Sequence, residues 1–429
     1  MAAVDADIDR VRLLSDLAEL STIGARPDGG LDRVAWSRAD LDGRRWLRER
    51  LEAAGLHTTT DAALNVFGTA TSSARRRLLI GSHTDSVRAG GRLDGAYGVV
   101  AALEVLRTLA AAGDPVADCV ELVDFADEEG VRFPCGYFGS KALVGQLDVD
   151  PLGPEAIQII ESAGVDARGL AAVARHMSLV AGMLELHIEQ GPRLEAGGLA
   201  VGVVAGILGF DRYRVEIEGR SDHGGTTPFG LRKDPVQAAA TLIAELPTLV
   251  ASIDEAGTAT VGSIAGDGGA INFVPRKVAF TLEVRQPSET SLTATTRLVE
   301  SRLKAVCVEH RCAATFRPEH MNVEIKDGLQ VAVEPAFVPP ILFDARLVEA
   351  CDAACREARV KHRRMHAGTW HDAGIIGRHV PAAMLLVASK NGVTHHPLED
   401  TAEIDLVEGA RVLLRATRHA VRALELTDY

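Results

Sequence analysis

The sequence predicts an α/β protein with a mixed, largely parallel sheet, interrupted by an inserted α+β domain. Three observations carry this reading. Short, continuously apolar runs alternate with long helical patterns over the first half of the chain, as buried parallel strands alternate with helices. Near residue 210 the pattern becomes strict apolar/polar alternation, which suits half-exposed antiparallel strands. Near residue 340 the α/β pattern returns. The 429 residues suit two or three domains, or one large domain with an insert. The simplest division is a discontinuous domain over 1–209 and 326–429, with an insert over 210–325.

The elements follow in order. Residues 7–20 and 39–54 read as amphipathic helices. Arg77 to Gly81 is a buried strand that runs into Ser82-His83-Thr84-Asp85. A glycine-rich loop, Gly90 to Gly95, carries Asp94 and leads into a long apolar helix closed by Gly113. Val120 to Phe125 is a second buried strand, ending in Asp127-Glu128-Glu129-Gly130. Met183 to Ile188 is a third, ending in His187-Ile188-Glu189-Gln190-Gly191. The insert opens with Arg212 to Glu218. It continues through a helix at 234–250, strands near 259–264 and 279–285, and a helix at 289–309. A helix at 344–359, a buried strand at 383–388 and a helix at 403–425 complete the chain.

Composition narrows the function. Hydrophobic residues make up 47% and charged residues 24%, as in ordinary globular proteins. A net charge of −13 argues against a nucleic-acid-binding surface. No stretch approaches the ~20 apolar residues of a membrane span, and the N-terminus has no signal-peptide core. The six cysteines form no C-x-x-C pair; so few in a long chain suit a reducing compartment, and the expected location is the cytoplasm. Cys351 and Cys355, four apart in a helical pattern, should share a buried helix face.

Open α/β sheets bind ligands at the carboxyl ends of their strands. Here His83, Asp94, Glu128, Glu129 and His187 follow the first three strands, and His395 and His396 follow the strand at 383–388. Taken singly, each has an ordinary reading: a satisfied structural histidine, a solvated acidic turn, or a turn-forming Asp. The repeated placement of His and acid at apolar strand ends lifts the set. Nitrogen and oxygen donors without a thiolate suit a catalytic metal site better than a structural zinc site. A shared carboxylate such as Asp94 can bridge two metal ions ~3.5–4 Å apart, the arrangement of two-metal hydrolases.

Five segments then resemble, in order, the motifs of one family. They are GSHTDSVRAGGRLDGAYG, DEEGVRFPCGYFGS, LELHIEQG, GRSDHGGTTPFGLRKD and GVTHHPLED. The family is the amidohydrolase branch of the M20 metallopeptidases, with N-carbamoyl-L-amino acid hydrolases, allantoate amidohydrolases, ureidoglycolate amidohydrolases and some β-ureidopropionases. The resemblance runs from about residue 20 to 420. It implies a di-metal catalytic domain and makes the insert a lid and dimerisation domain of a homodimer.

The resemblance also implies roles. His83, Asp94, Glu129, His187 and His395 match the ligands of two divalent ions (Mn, Zn, Co or Ni), with Asp94 as the bridge. Glu128 matches the general base. Asp85 is expected to accept the other ring N–H of His83. His223 matches a lid histidine that reaches the partner subunit's active site, and Gln190, His223, Asn272 and Arg285 match substrate contacts. Arg285 is the expected carboxylate clamp.

The chain departs from the family pattern at Glu283, at 367–372 where Trp370 stands, at His396 and at Asp400. No departure touches an implied ligand. The implied activity is hydrolysis of a linear amide C–N bond in a small, carboxylate-bearing ureido substrate. The segment EEGVRFPCGYFGSKALVG leans toward the allantoate amidohydrolases, with an N-carbamoyl-L-amino acid hydrolase or β-ureidopropionase as the alternative. A catalytically inactive dimeric binding protein on the same fold is the alternative from another class.

Overall fold

The computed structural model describes residues 6–73, 75–133, 135–148, 153–267, 270–323 and 332–426. It divides into two compact units, Met1–Ala205 with Phe343–Tyr429, and Gly206–Leu342. Among the described residues, no helix is long and apolar enough to cross a membrane.

The first unit is built on a mixed sheet. Its centre is four parallel strands in the order Val120–Phe125, Arg77–His83, Val180–Ile188 and Ala382–Val387. Every residue of these four strands is buried, which is why each reads as a continuous apolar run. Because they are parallel, their carboxyl ends share one edge of the sheet. The antiparallel strands Val66–Thr69 and His57–Thr60 extend one side, and Val201–Ile207 pairs antiparallel on the other. The sequence pattern left these flanking strands unread.

Helices fill the layers. Ala96–Ala111 is buried nearly all round and packs on three of the central strands. Arg10–Leu20 is capped by Asp9, whose side chain accepts the N–H groups of Val11 and Arg12. Arg38–Ala53 is capped by Ser37. Ala345–Ala358 packs against Glu403–Ala423 and buries Cys351 and Cys355 on one face, as expected.

The second unit is an antiparallel sheet in the order Ala313–Pro318, Gly209–Glu218, Lys277–Gln286 and Thr258–Gly266. Lys277–Gln286 alternates half-buried and buried residues without exception. Its inward residues Val278, Phe280, Leu282 and Val284 join Leu242 and Leu246 of helix Pro235–Ala251, and Val299 and Leu303 of helix Glu289–Glu309, in one core. This unit ends at Leu342, not near 325 as the sequence pattern suggested. The reason is pairing: Phe337 and Val338 add to the Gly209–Glu218 strand opposite Asp211 and Phe210.

Candidate metal centre and active site

The shared edge of the four parallel strands gathers the candidate ligands. His83 is the last residue of its strand. Its Nδ1 lies 3.1 Å from the carbonyl oxygen of Asp85 and donates to it, which leaves the Nε2 lone pair open. His187 repeats the device: Nδ1 donates to the carbonyl of Ile188 at 2.9 Å, and Nε2 sits 3.0 Å from Asp94 Oδ1. His395 Nε2 approaches the other carboxylate oxygen, 3.1 Å from Asp94 Oδ2, and lies 3.5 Å from Glu129 Oε2. His83, Asp94 and His187 therefore form one group of donors, and Asp94, Glu129 and His395 another. Asp94 belongs to both. Of the paired histidines, His395 faces the cluster, while His396 Nδ1 accepts the N–H of Leu398 in its own turn.

Local backbone makes this possible. Gly95, at φ +62°, turns the chain from Asp94 into helix Ala96–Ala111. A Cβ there would lie 2.3 Å from His83 Nε2, so only glycine lets the loop close over the ring. Asp127, Gln190 and His395 also adopt positive φ, at 51°, 55° and 53°. Such left-handed residues concentrate where the surrounding structure over-determines a functional geometry.

The electrostatics fit divalent cations. Burial, then Glu129 and Asp372, pushes the Glu128 carboxyl well above its ordinary value. Burial, then Asp94 and Asp85, does the same to Glu129. Burial drives the His83 ring down to about 3. For His187 burial opposes the charge, but the Asp94 carboxylate and then Glu185 lift it to about 9. Asp94 resists its own burial through His187 and His395 and stays well below the carboxylate range. Buried acids this dense call for positive charge. The His83 ring, its Nδ1 engaged by the Asp85 carbonyl, faces them with an open Nε2 lone pair. The buried oxygens Glu129 Oε1 and Gln190 Oε1 have no hydrogen-bond partner among the described residues. Nitrogen and oxygen donors with open valence and no thiolate suit a divalent cation.

A supporting shell holds these groups. The sequence reading gave the Asp85 carboxylate to His83; the structure corrects this. Its Oδ1 is 3.7 Å from His83 Nδ1, and the backbone carbonyl takes the ring hydrogen instead. The carboxylate accepts the backbone N–H of Glu128 at 3.3 Å and of Glu129 at 3.4 Å. Glu128 Oε2 then lies 3.6 Å from His83 Nε2. Gln190 Nε2 donates to Asp94 Oδ2 at 2.8 Å and to Thr394 Oγ at 3.1 Å.

Sequence reasoning missed three residues here. Glu185 accepts from Ser82 Oγ at 2.6 Å and from the N–H of Ala373 at 2.8 Å. His371, buried, packs its ring 4.4 Å from that of His187. Glu399 accepts two N–H groups of the Asp94 loop. Glu185 had a signal: a charged residue inside an apolar strand, two before His187 and so on the same face.

The remaining candidates belong to the second unit. His223 and Asn272 come together: the Asn272 side-chain amide is 3.4 Å from His223 Nε2, and Gly225 N donates to His223 Nδ1 at 3.2 Å. Arg285 lies on strand Lys277–Gln286, with Nε donating to Glu283 Oε1 at 2.7 Å and its guanidinium 5.3 Å from the centre of the Phe210 ring. Glu283, a departure from the family pattern, also accepts from Arg212 Nε at 2.7 Å. In the first unit, the Trp370 ring lies under the guanidinium of Arg378, at 4.8 Å. Asp400 pairs with Arg92 at 2.7 Å and with Lys390.

Three histidines and two carboxylates at the strand ends of a parallel sheet, with a further acid beside them, form the framework of a metal-dependent hydrolase. Residues 79–419 match the model of peptidase family M20/M25/M40, and the chain belongs to that family. It is 32% identical to an allantoate amidohydrolase of Escherichia coli over 403 residues, 92% of this chain and 94% of that one. It is 33% identical to an N-carbamoyl-L-amino acid amidohydrolase of Geobacillus stearothermophilus over 412 residues, 94% of this chain and 96% of that one. A crystal structure of a hydantoinase/carbamoylase family amidase from Burkholderia ambifaria superposes with a TM-score of 0.83 at 30% identity, covering 96% of each chain.

Proposed function

We propose that this protein hydrolyses a linear amide C–N bond in a small, carboxylate-bearing ureido substrate, with allantoate as the favoured substrate. Cleavage of the terminal ureido group by water leaves a carbamate, which breaks down to ammonia and carbon dioxide. The observation that carries the reading is the pair of donor groups that share Asp94, with Glu128 beside His83.

His83 and His187 on one side, and Glu129 and His395 on the other, would hold two divalent cations with Asp94 between them. Mn, Zn, Co or Ni would supply Lewis acidity toward the ureido carbonyl and a water that ionises near neutral pH. Glu128, whose Oε2 lies 3.6 Å from His83 Nε2, is the general base that takes the water's proton and returns it to the leaving nitrogen. Asp85 fixes the backbone of Glu128 and Glu129 through their N–H groups. Gln190 orients Asp94 and presents its amide oxygen toward substrate. His223 stabilises the developing oxyanion from the partner subunit of a homodimer. Asn272 and Arg285 hold the substrate carboxylate, the guanidinium through two parallel hydrogen bonds. The second unit, Gly206–Leu342, then serves as lid and dimerisation domain. Six free thiols suit work in the reducing cytoplasm, and the net charge of −13 argues against a nucleic-acid partner.

A second reading, an N-carbamoyl-L-amino acid amidohydrolase, is favoured by relatives of that name at 33% identity. One experiment separates the two. Metal-free protein is reloaded with each cation, and ammonia release is followed from allantoate, N-carbamoyl-L-amino acids and N-carbamoyl-β-alanine. Allantoate should give the highest kcat/KM. Preference for a carbamoyl amino acid would select the second reading, and no ammonia with any metal would defeat both.

A further inference from the structure

We propose that Glu399 is a positioning residue that sets the Asp94 carboxylate by gripping the backbone of its loop. The proposal rests on the reading of Asp94 as the ligand shared by two cations.

Glu399 Oε1 accepts the N–H of Leu93 and the N–H of Asp94, each at 3.0 Å. Its other oxygen meets Thr394 Oγ at 3.3 Å, and Thr394 Oγ also lies 3.0 Å from Asp94 Oδ2. Thr394 has one hydroxyl hydrogen for these two acceptors and the shorter contact is to Asp94, so Glu399 constrains Asp94 through the backbone. Glu399 is only 3% exposed. It also belongs to the loop that carries His395, whose Nε2 is 3.1 Å from Asp94 Oδ2. The contact therefore sets the register between two loops that are distant in sequence and adjacent at the cluster.

Gly91 fits the same account. A Cβ at Gly91 would lie 2.0 Å from the Glu399 carboxylate. The approach of Glu399 to the loop depends on that missing atom. The neighbouring Asp400 reinforces the closure, since it pairs with Arg92 of the same loop and with Lys390. A shared ligand tolerates displacement of only about 0.5 Å, and a support of this kind supplies that precision.

The geometry needs acceptors, not charge. In Glu399→Gln the amide oxygen can keep both N–H groups. Its NH2 would face Thr394 Oγ, which can accept and still donate to Asp94. Glu399→Ala removes every contact. Gly91→Ala touches no candidate ligand but forces the flexible end of Glu399 away from the amides.

The test uses the full chain and three readouts. Hydrogen exchange on the metal-free protein reports the amides of Leu93 and Asp94. Calorimetric titration with Mn2+ reports metal affinity, and ammonia release reports turnover. Glu399→Ala and Gly91→Ala should speed exchange of these amides and weaken Mn2+ binding or turnover by about 10–100-fold, the usual cost of losing a ligand's support. Glu399→Gln should stay close to wild type in all three. Unchanged exchange and affinity in Glu399→Ala would overturn the proposal. So would Glu399→Gln as damaged as Glu399→Ala, since that would make the charge, not the grip, the active feature. If Glu399→Ala does not fold, Gly91→Ala and Glu399→Gln decide. If wild type cleaves no ureido substrate, the functional reading fails, while exchange and titration still decide the role of Glu399.

Discussion

Asp85 Oδ1 accepts the backbone N–H of Glu128 at 3.3 Å, and its other oxygen accepts that of Glu129 at 3.4 Å. A single carboxylate thus fixes the chain where a candidate base and a candidate ligand stand side by side. Asp85→Asn keeps the shape but offers only one oxygen, so one of the two N–H groups loses its acceptor. The expected result is a kcat lower by about 10–100-fold with the fold intact, measured by turnover beside a thermal melt.

Glu128 and Glu129 should fail differently. Glu128→Gln should keep its metal and lose at least ~10²–10⁴ in kcat, the usual contribution of a positioned acid–base group. Glu129→Gln should lose metal instead. Elemental analysis of the two purified variants beside their turnover numbers separates the roles. Near-normal turnover in metal-replete Glu128→Gln would remove it from the mechanism.

Arg285 should be sensitive even to a conservative change. Arg285→Lys loses the planar fork and should be costly for carboxylate-bearing substrates. An amide or ester analogue should be cleaved about equally by wild type and variant. Equal damage on both substrates would point away from a carboxylate clamp.

Assembly can be tested by mixing two inactive variants, Glu128→Gln and His223→Ala. If His223 completes the partner's site, each mixed dimer has one site with both defects and one with neither. Random exchange of equal amounts makes about half the dimers mixed, so about a quarter of wild-type activity should return. No recovery despite demonstrated exchange would mean that His223 acts in its own chain or not at all.

A pH effect on stability should appear away from the site. Burial works against the charged ring of His176, but Glu121, whose carboxylate is 2.9 Å from Nε2, raises its pKa overall. Asp61 adds to the rise and Arg77 opposes it. A raised folded-state value stabilises fully below the ordinary histidine pKa of about 6.5, and the stabilisation is lost as pH rises through the raised value. Glu121→Gln should therefore lower the melting temperature more at acidic pH than at alkaline pH. The partly exposed pair should be worth about 1 kcal/mol or less. An equal loss at both ends of the range would refute the charge-based account.

The sequence by itself determined the central strands, the change of architecture near residue 210 and the family. It also offered His83, Asp94, Glu129, His187 and His395, because each stands at or just beyond the end of an apolar run, and burial on two faces writes that run into the local sequence. Tertiary structure alone decided what those residues touch. It chose His395 over His396, gave the Asp85 carboxylate to the Glu128 and Glu129 amides, and carried the second unit on to Leu342. It also brought Glu185 to Ser82 and Glu399 to the N–H groups of Leu93 and Asp94. The physical reason is range. Apolar periodicity is set by the few residues around each position, whereas a hydrogen bond is fixed to tenths of an ångström by packing between segments as far apart as residues 94 and 399.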